Sequence, residues 1–199
     1  MIKKLASSVH IPLSVDTRHA EVARQAIEHG AEIVNDISGL RDPGMIKVLK
    51  ETGAGAIVMH MRGEPNDMQT NTVYDDIVGE IGSFLVSRIE EAARAGIDAS
   101  RLAIDPGIGF GKDVKGNLDI IRRLREFRSY GRPILVGASR KGFIGKVIGG
   151  TTEERLTGSL VAASAAILNG ANIVRVHDVA ETVKMARMTD AIRLPDHKG

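Results

Sequence analysis

In the 199-residue chain, residues Leu102–Lys112 read LAIDPGIGFGK, and the rest of the chain is arranged around this stretch. A short apolar run reaches the carboxylate of Asp105 and breaks at Pro106 into three alternating glycines. Proline and glycine end a strand, and glycine permits positive φ and close approach of the backbone to another group. The stretch predicts a carboxylate at a strand end, above a thin loop against which a ligand can lie. Taken alone, it also fits a solvated glycine-rich connection.

The rest of the chain repeats this arrangement, because β-branched runs alternate with helical patterns and five of the helices stop at a glycine. Strands are predicted over 11–15, 32–34, 56–59, 102–104, 134–136 and 173–176. Helices are predicted over 1–9, 20–29, 43–51, 74–95, 118–128, 153–169 and 180–192. Such alternation indicates an α/β fold with a parallel sheet and right-handed crossovers.

Two architectures fit this alternation, an open doubly wound sheet and a closed TIM-type (β/α)8 barrel. A dinucleotide-binding sheet carries G-x-G-x-x-G in its first strand–helix turn, and no turn of this chain has that pattern. Functional residues of a barrel come from the carboxyl ends of several strands. The predicted strands lead to Asp16, Asn35, His60, Asp105, Ser139 and His177. The sequence therefore predicts a TIM-type barrel.

Only about six of the eight βα units of such a barrel can be counted. Because the chain opens within a helical pattern, we expect the absent units to be the first two. Residues 1–193 are expected to form a single barrel domain, followed by a polar tail over 194–199.

The composition excludes several classes of protein. A formal charge of +2 and an aromatic content of 3% argue against nucleic-acid binding. The longest apolar stretch, 160–168, is about half the length of a membrane span, so no membrane association is expected. Cysteine is absent, which excludes disulfides and fits a cytoplasmic location.

Carboxylates and a carboxamide are expected to line one pocket. Asp16, Asn35 and Asp105 each end a predicted strand. Their acceptor and donor groups suit a ligand edge with several N–H groups and one carbonyl, such as an aminopyrimidinone. The alternative for Asp16 is capping of the next helix.

Basic side chains follow the last two predicted strands. Lys141 lies in GASRKGFIG (137–145), where it could bind a ligand carbonyl or ring nitrogen; the alternative is a solvated basic loop. Arg175 and His177 stand two apart, which places both on one face of a strand. A guanidinium beside an imidazole suggests an anionic, phosphate-bearing substrate, whereas a buried ion pair of Arg175 with an aspartate such as Asp105 is the alternative.

The remaining features are less specific. His60 has no partner at metal-ligand spacing, so no metal ligand is predicted, and Met59 is expected to pack on a flat ligand. The polar loop after Met61 is long enough for a mobile lid. Helix 157–171 is apolar nearly all round, which favours contact with a second subunit over a tight intrachain contact.

Six segments, taken in order and spacing, resemble the dihydropteroate synthase family of the folate pathway. They are SVDT, VNDISG, MHMRGEP, DPGIGFGK, GASRKGFIG and RVHDV, within 11–192. The resemblance implies condensation of p-aminobenzoate with 6-hydroxymethyl-7,8-dihydropterin pyrophosphate to give dihydropteroate and pyrophosphate. A non-catalytic pterin-binding paralogue and a pterin-dependent methyltransferase are the alternatives, and the SRK segment argues against the latter.

The resemblance also implies roles for individual residues. Asp16, Asn35 and Asp105 would bind the aminopyrimidinone edge of the pterin, and Lys141 its carbonyl and ring nitrogen. The walls of the pterin site would be Ile37, Met59, Phe110 and Gly137. Arg175 and His177 would hold the leaving pyrophosphate. Ser139 and Arg140 would flank the aminobenzoate, where sulfonamides compete in the family. Catalysis would thus rest on Lys141, Arg175, His177 and Asp105.

Mg²⁺ is the cofactor that the resemblance implies. Its ligand in the family is an asparagine on the family's first strand, and this sequence lacks it. The sequence also lacks the acidic residue that the family's second strand places at the pterin and the Thr-Arg-Pro loop that closes the aminobenzoate site. Whether this chain is active by itself therefore stays open at the level of sequence. A homodimer through the outer C-terminal helices is expected.

Overall fold

A computed structural model of the chain describes residues 1–194. Its strands are β1 (Ser14–Asp16), β2 (Ile33–Asp36), β3 (Gly55–Met59), β4 (Leu102–Asp105), β5 (Leu135–Val136) and β6 (Ile173–Val174). Its α-helices are α1 (Ile2–Ala6), α2 (Ala20–Glu28), α3 (Pro43–Thr52), α4 (Ile77–Arg94), α5 (Val114–Arg122), α6 (Gly142–Ile148), α7 (Leu156–Leu168) and α8 (Val179–Arg193). Three short 3₁₀ helices cover Ala99–Arg101, Leu124–Tyr130 and Glu153–Arg155. Except for Leu194, the expected polar tail lies outside the described residues.

The strands are parallel and lie in chain order. β1, β2, β3 and β4 form one sheet, and β5 pairs with β6 in a second. A parallel bridge between Ile104 and Ile134 joins the two sheets, with Ile104 N–H donating to Pro133 O over 2.9 Å. A doubly wound sheet reverses its strand order, whereas a barrel keeps it. The expected partial TIM-type barrel of six strands is therefore confirmed.

The core lies between the strands and the helices that cover them. β-branched side chains of the strands, such as Val34, Val58 and Ile104, are completely buried. Leu49 of α3 and Ile81 of α4 are buried in the same core cluster. Strands covered in this way read as continuous apolar runs, which is why the sequence pattern located them.

The first and last strands face each other across a groove of about 640 Å³. Side chains of α1, β1, β2, β3, β5 and β6 line it, and most of them are apolar. Arg175, just beyond β6, forms an ion pair with Asp16 at the end of β1 across this groove. The two sheets are thus connected at the end where the polar residues of the strands gather.

Several predicted elements have different limits in the structure. The first strand covers Ser14–Asp16 and is shorter than the predicted 11–15. The predicted helix 118–128 is divided between α5 and a 3₁₀ segment. α5 begins earlier than predicted because the Asp113 carboxylate caps its first turn by accepting a hydrogen bond from Gly116 N over 2.7 Å. α6 was not predicted, since its two glycines made 137–145 resemble a loop. Within residues 1–194, no helix combines the length and apolarity that crossing a bilayer requires.

Candidate functional site

A cavity of about 210 Å³ opens at the carboxyl ends of the strands. Nine of the twelve site residues predicted from the sequence line this cavity. The lining residues are Ile37, Met59, Asp105, Phe110, Gly137, Ser139, Lys141, Arg175, Val176 and His177. Asp16 and Asn35 line the adjoining groove, to which Arg175 also belongs. Arg140 lines neither space.

Asp105 supplies a buried carboxylate at the end of β4. It is 6% exposed, and its Oδ1 accepts a hydrogen bond from Gly107 N over 2.7 Å. Burial raises the pKa of Asp105, while Lys141, the Gly107 N–H, Lys112 and Arg175 oppose that rise. Within residues 1–194 the protein uses only Oδ1, so Oδ2 is left to accept from a ligand.

The backbone of the glycine loop after Asp105 (107–111) lies close to His60 and Lys141. Gly107 has φ +72°, and a Cβ there would lie 1.9 Å from His60 O. Gly109 has φ +82°, and a Cβ there would lie 2.7 Å from Lys141 Cδ. Asn117 Oδ1 accepts from Gly109 N over 2.6 Å and fixes the middle of the loop. Glycine is therefore required at both positions by conformation and by space.

Lys141 reaches the cavity from the N-terminal end of α6. Its Nζ lies 4.4 Å from the centre of the Phe110 ring and donates to Ile108 O. Burial lowers the pKa of Lys141 to about 8; Asp105 acts to raise it, and Arg175 lowers it further. The ammonium group is a directed donor whose charge changes at mildly alkaline pH.

Asp16, Asn35 and Arg175 form a chain of polar contacts beside the cavity. Asn35 Nδ2 donates to Asp16 Oδ1 over 2.9 Å, and Arg175 pairs with Asp16. Asn35 Oδ1 is buried and has no hydrogen-bond partner among the described residues. Asp16 does not cap α2, whose N-cap is His19 without a side-chain bond, so the capping alternative is wrong. The alternative of a buried pair of Arg175 with an aspartate is correct in the pairing but not in the burial, because Arg175 pairs with Asp16 instead of Asp105 and both side chains are exposed.

Consecutive residues of the SRK segment have different surroundings. The buried Ser139 Oγ lies 3.0 Å from His177 Nδ1, which links the loops after β5 and β6. Arg140 has φ +57°, and its guanidinium contacts both carboxylate oxygens of Asp178 at 2.5 and 3.1 Å. Its backbone N donates to Ser159 Oγ over 2.9 Å. Arg140 therefore joins the two loops instead of entering the cavity.

Replacing Arg140 by Ala is expected to lower the melting temperature and to make it less sensitive to acid. The hydrogen bond from Arg140 lowers the pKa of Asp178, so stability from this pair is present above the ordinary aspartate pKa and is lost as the pH falls through the lowered value. Melting curves from pH 2 to pH 7 test this, with the Arg140→Ala, Asp178→Asn double variant as the control. Additive effects of the two single substitutions would contradict the coupling.

Sequence reasoning missed the buried partners behind the cavity. Lys112 Nζ lies 3.1 Å from His60 Nδ1 and donates to Phe110 O over 2.7 Å. The only available signal was the lysine that closes the glycine loop, since residue 60 lies far from it in sequence. The loop after Met61 reaches the site through Gln69, whose Nε2 donates to Gly109 O over 3.1 Å.

The fold and the site define a class, namely a βα barrel with a cavity at the carboxyl ends of its strands. The comparisons with known proteins agree with this class. Residues 1–177 match the family described as Pterin binding enzyme. The dihydropteroate synthase of Escherichia coli K12 is 41% identical over 191 residues, which is 96% of this chain and 68% of that protein. The chain therefore belongs to the dihydropteroate synthase family.

Two solved structures agree with this assignment. Yersinia pestis dihydropteroate synthase, in complex with a sulfonamide drug, superimposes with a TM-score of 0.96 at 37% identity, covering 98% of this chain and 71% of that one. The Xanthomonas albilineans enzyme in complex with 7,8-dihydropteroate gives a TM-score of 0.90 at 40% identity, covering 97% and 73%. These values extend the family relationship to the arrangement of the strands and helices.

Proposed function

We propose that the chain is a dihydropteroate synthase that binds 6-hydroxymethyl-7,8-dihydropterin pyrophosphate in the 210 Å³ cavity and transfers its pterinylmethyl group to p-aminobenzoate. The observation that carries the proposal is the set of unused acceptors. Asp105 Oδ2 in the cavity and the unpartnered Asn35 Oδ1 in the adjoining groove match the N–H groups of an aminopyrimidinone. Family membership supports the same ligand.

The other cavity residues complete the proposed pterin site. Lys141 would donate to the pterin carbonyl and ring nitrogen, while Met59 and Phe110 would pack on the faces of the ring. Asp16 would act mainly through Asn35, since its Oδ1 accepts from Asn35 Nδ2. Ile37 and Gly137 would form the remaining walls, consistent with their position in the lining.

The proposed reaction needs no side-chain nucleophile. The aniline nitrogen of p-aminobenzoate would attack the methylene carbon, the carbon–oxygen bond to pyrophosphate would break, and the nitrogen would release a proton to solvent. Arg175 and His177 would stabilise the departing pyrophosphate, and Ser139 would lie on the aminobenzoate side. Orientation and charge stabilisation together would lower the barrier.

Mg²⁺ is implied by the family resemblance, but the described residues do not fit it. Across residues 1–194, no three His, Cys, Asp or Glu side chains are arranged to hold a metal ion. We therefore assign no step to Mg²⁺. A cytoplasmic location, inferred from the absence of cysteine, stays a prediction.

Calorimetric titration with dihydropterin pyrophosphate, followed by assay of dihydropteroate formation with p-aminobenzoate, tests the proposal. Binding with turnover is expected for a synthase. Binding without turnover would select the non-catalytic pterin-binding alternative. A folded chain, verified by circular dichroism, that fails to bind would overturn the assignment of the cavity.

Affinity for the dihydropterin is expected to fall as the pH rises through about 8, because the Lys141 ammonium loses its proton there. The stability should change in the opposite direction. Between about pH 8 and the ordinary lysine pKa of 10.5, the unfolded chain binds more protons than the folded chain, so the free energy of unfolding rises with pH. Lys141→Met should reduce this rise and leave the part that comes from Lys112, whose pKa burial lowers to about 7, whereas Lys146→Met, on the exposed side of α6, should retain all of it. Identical pH profiles for both variants would contradict the role of Lys141.

We also propose that the chain forms a homodimer through α7 and α8. These neighbouring helices expose Val161 (64%), Met188 (63%) and Ile192 (67%). Exposed apolar side chains on adjacent elements favour contact with another protein surface. Sedimentation analysis should show that Val161→Glu with Met188→Glu produces monomers, while Ser83→Glu on α4 leaves dimers. A monomeric unmodified chain would exclude the dimer.

A further inference from the structure

Among the described residues, Lys112 is the most buried lysine or arginine, and the proposed reaction does not use it. It is 3% exposed, and it closes the glycine loop that follows Asp105. Its ammonium group donates to Phe110 O over 2.7 Å, and it lies 3.1 Å from His60 Nδ1. An ammonium group is costly to bury unless its partners compensate, so its position behind the cavity calls for an explanation.

The surroundings of His60 make it an acceptor for this ammonium group. The His60 ring is 6% exposed and packs edge-on against Phe84, with ring centres 5.1 Å apart. Burial, together with the charges of Lys112, Arg62 and Arg41, lowers the pKa of His60 to about 3. At neutral pH the imidazole is therefore uncharged, and Nδ1 can accept a hydrogen bond from Lys112.

The same contacts connect Lys112 to the turn that holds Asp105. The position that a Cβ of Gly107 would occupy lies 3.3 Å from Lys112 Nζ, and Gly107 N donates to Asp105 Oδ1. His60 N donates to the backbone oxygen of Asp105 over 2.9 Å. The ammonium group thus lies against both chain segments that fix the carboxylate.

We propose that Lys112 is a positioning residue of this site, whose buried ammonium group holds the 107–111 loop from behind and stabilises the ionised form of Asp105. The inference deepens the proposed function and rests on it in one respect, namely that Asp105 is the carboxylate that meets the ligand. Lys112 does not line the cavity that contains Asp105 and acts only through its neighbours.

Other charged groups near Asp105 and Lys112 also affect the pKa values of these two residues. Lys141 and Arg175 face Asp105 from the loops after β5 and β6 and also favour its ionised form. Burial lowers the pKa of Lys112 to about 7; Asp105 raises it, and Lys141 and Arg62 lower it further. Because Lys141 and Arg175 persist when Lys112 is replaced, the contribution of Lys112 can be separated from theirs.

The test is an NMR titration of the Asp105 carboxyl carbon in the unliganded chain. Lys112→Met is expected to raise the pKa of Asp105 by about 1 unit, the lower end of the effect of a nearby cation on a carboxylate. Lys115→Met is the matched control, because Lys115 is exposed and lies three residues after Lys112, and it should leave the pKa of Asp105 unchanged. An Asp105 that titrates in Lys112→Met as it does in the unmodified chain would overturn the proposal.

A reciprocal measurement covers the possibility that Lys112→Met does not fold. Asp105→Asn should lower the pKa of Lys112, followed through its ε-carbon, because coupling between two titrating groups acts on both. No change would overturn the electrostatic coupling.

The pH dependence of ligand affinity distinguishes an electrostatic role of Lys112 from a purely structural one. The acid limb of dihydropterin pyrophosphate affinity should move to higher pH in Lys112→Met, whereas an equal loss at every pH would contradict stabilisation of the Asp105 anion. If the unmodified chain does not bind this ligand, the proposed function fails. The titrations of the unliganded chain would still decide the role of Lys112.

Discussion

Asp105→Asn is expected to weaken the binding of dihydropterin pyrophosphate by about 100-fold, the effect of losing a buried, charged hydrogen-bond partner. Gly107 N already donates to one oxygen of Asp105. In the variant that N–H selects the carboxamide oxygen, so the amide NH₂ group takes the position of Oδ2. Donors of the protein would then face donors of the ligand. Calorimetry on the purified variant measures the change.

Asp75→Asn is the matched control for this substitution, because Asp75 is an exposed aspartate distant in sequence from the glycine loop. It should bind the ligand as the unmodified chain does. Circular dichroism of both variants separates loss of binding from loss of fold. Retention of full affinity by Asp105→Asn would show that the pterin edge is bound elsewhere.

Gly107→Ala is expected to reduce the free energy of unfolding by roughly 3 kcal/mol or more, since left-handed strain and a steric clash act together. A Cβ at this position would lie 1.9 Å from His60 O, and that oxygen belongs to the backbone, so it cannot move aside as a side chain can. Moving it would displace the end of β3 and the contact between His60 N and Asp105 O. Chemical denaturation provides the measurement.

Gly131→Ala isolates the conformational part of this effect. Gly131 also has positive φ (+63°), but no heavy atom lies within 4 Å of its Cβ position. That variant should lose roughly 1 kcal/mol. Equal losses for the two variants would contradict the requirement for close approach at Gly107.

Most of the candidate site could be predicted because it follows the strand ends. Asp105, Ser139 and His177 each come after a β-branched run, and parallel strands bring such residues to one edge. Lys141 and Arg175 follow the same strands closely enough to reach the same cavity.

Arg140 shows what the sequence pattern could not provide. It stands between two cavity residues, yet its positive φ directs the side chain to Asp178. Nothing in the letters SRK indicates a left-handed residue in the middle of the segment, and non-glycine residues seldom adopt that conformation.

The contact between His60 and Lys112 could not be predicted for a different reason. The two residues are 52 positions apart, and they meet only because β3 and β4 are paired with Met59 opposite Asp105. α6 was missed because Gly142 and Gly145 obscure its helical pattern. A Cβ at Gly145 would lie 2.6 Å from Arg155 Nε, so a larger residue there would displace the Arg155 side chain.

A crystal structure of the chain with dihydropterin pyrophosphate would locate the pterin and so decide whether the cavity binds it. We expect the pterin ring between Met59 and Phe110, with its N–H groups on Asp105 Oδ2 and Asn35 Oδ1 and its pyrophosphate beside Arg175 and His177. A pterin bound along the 640 Å³ groove, with no hydrogen bond to Asp105, would contradict this arrangement.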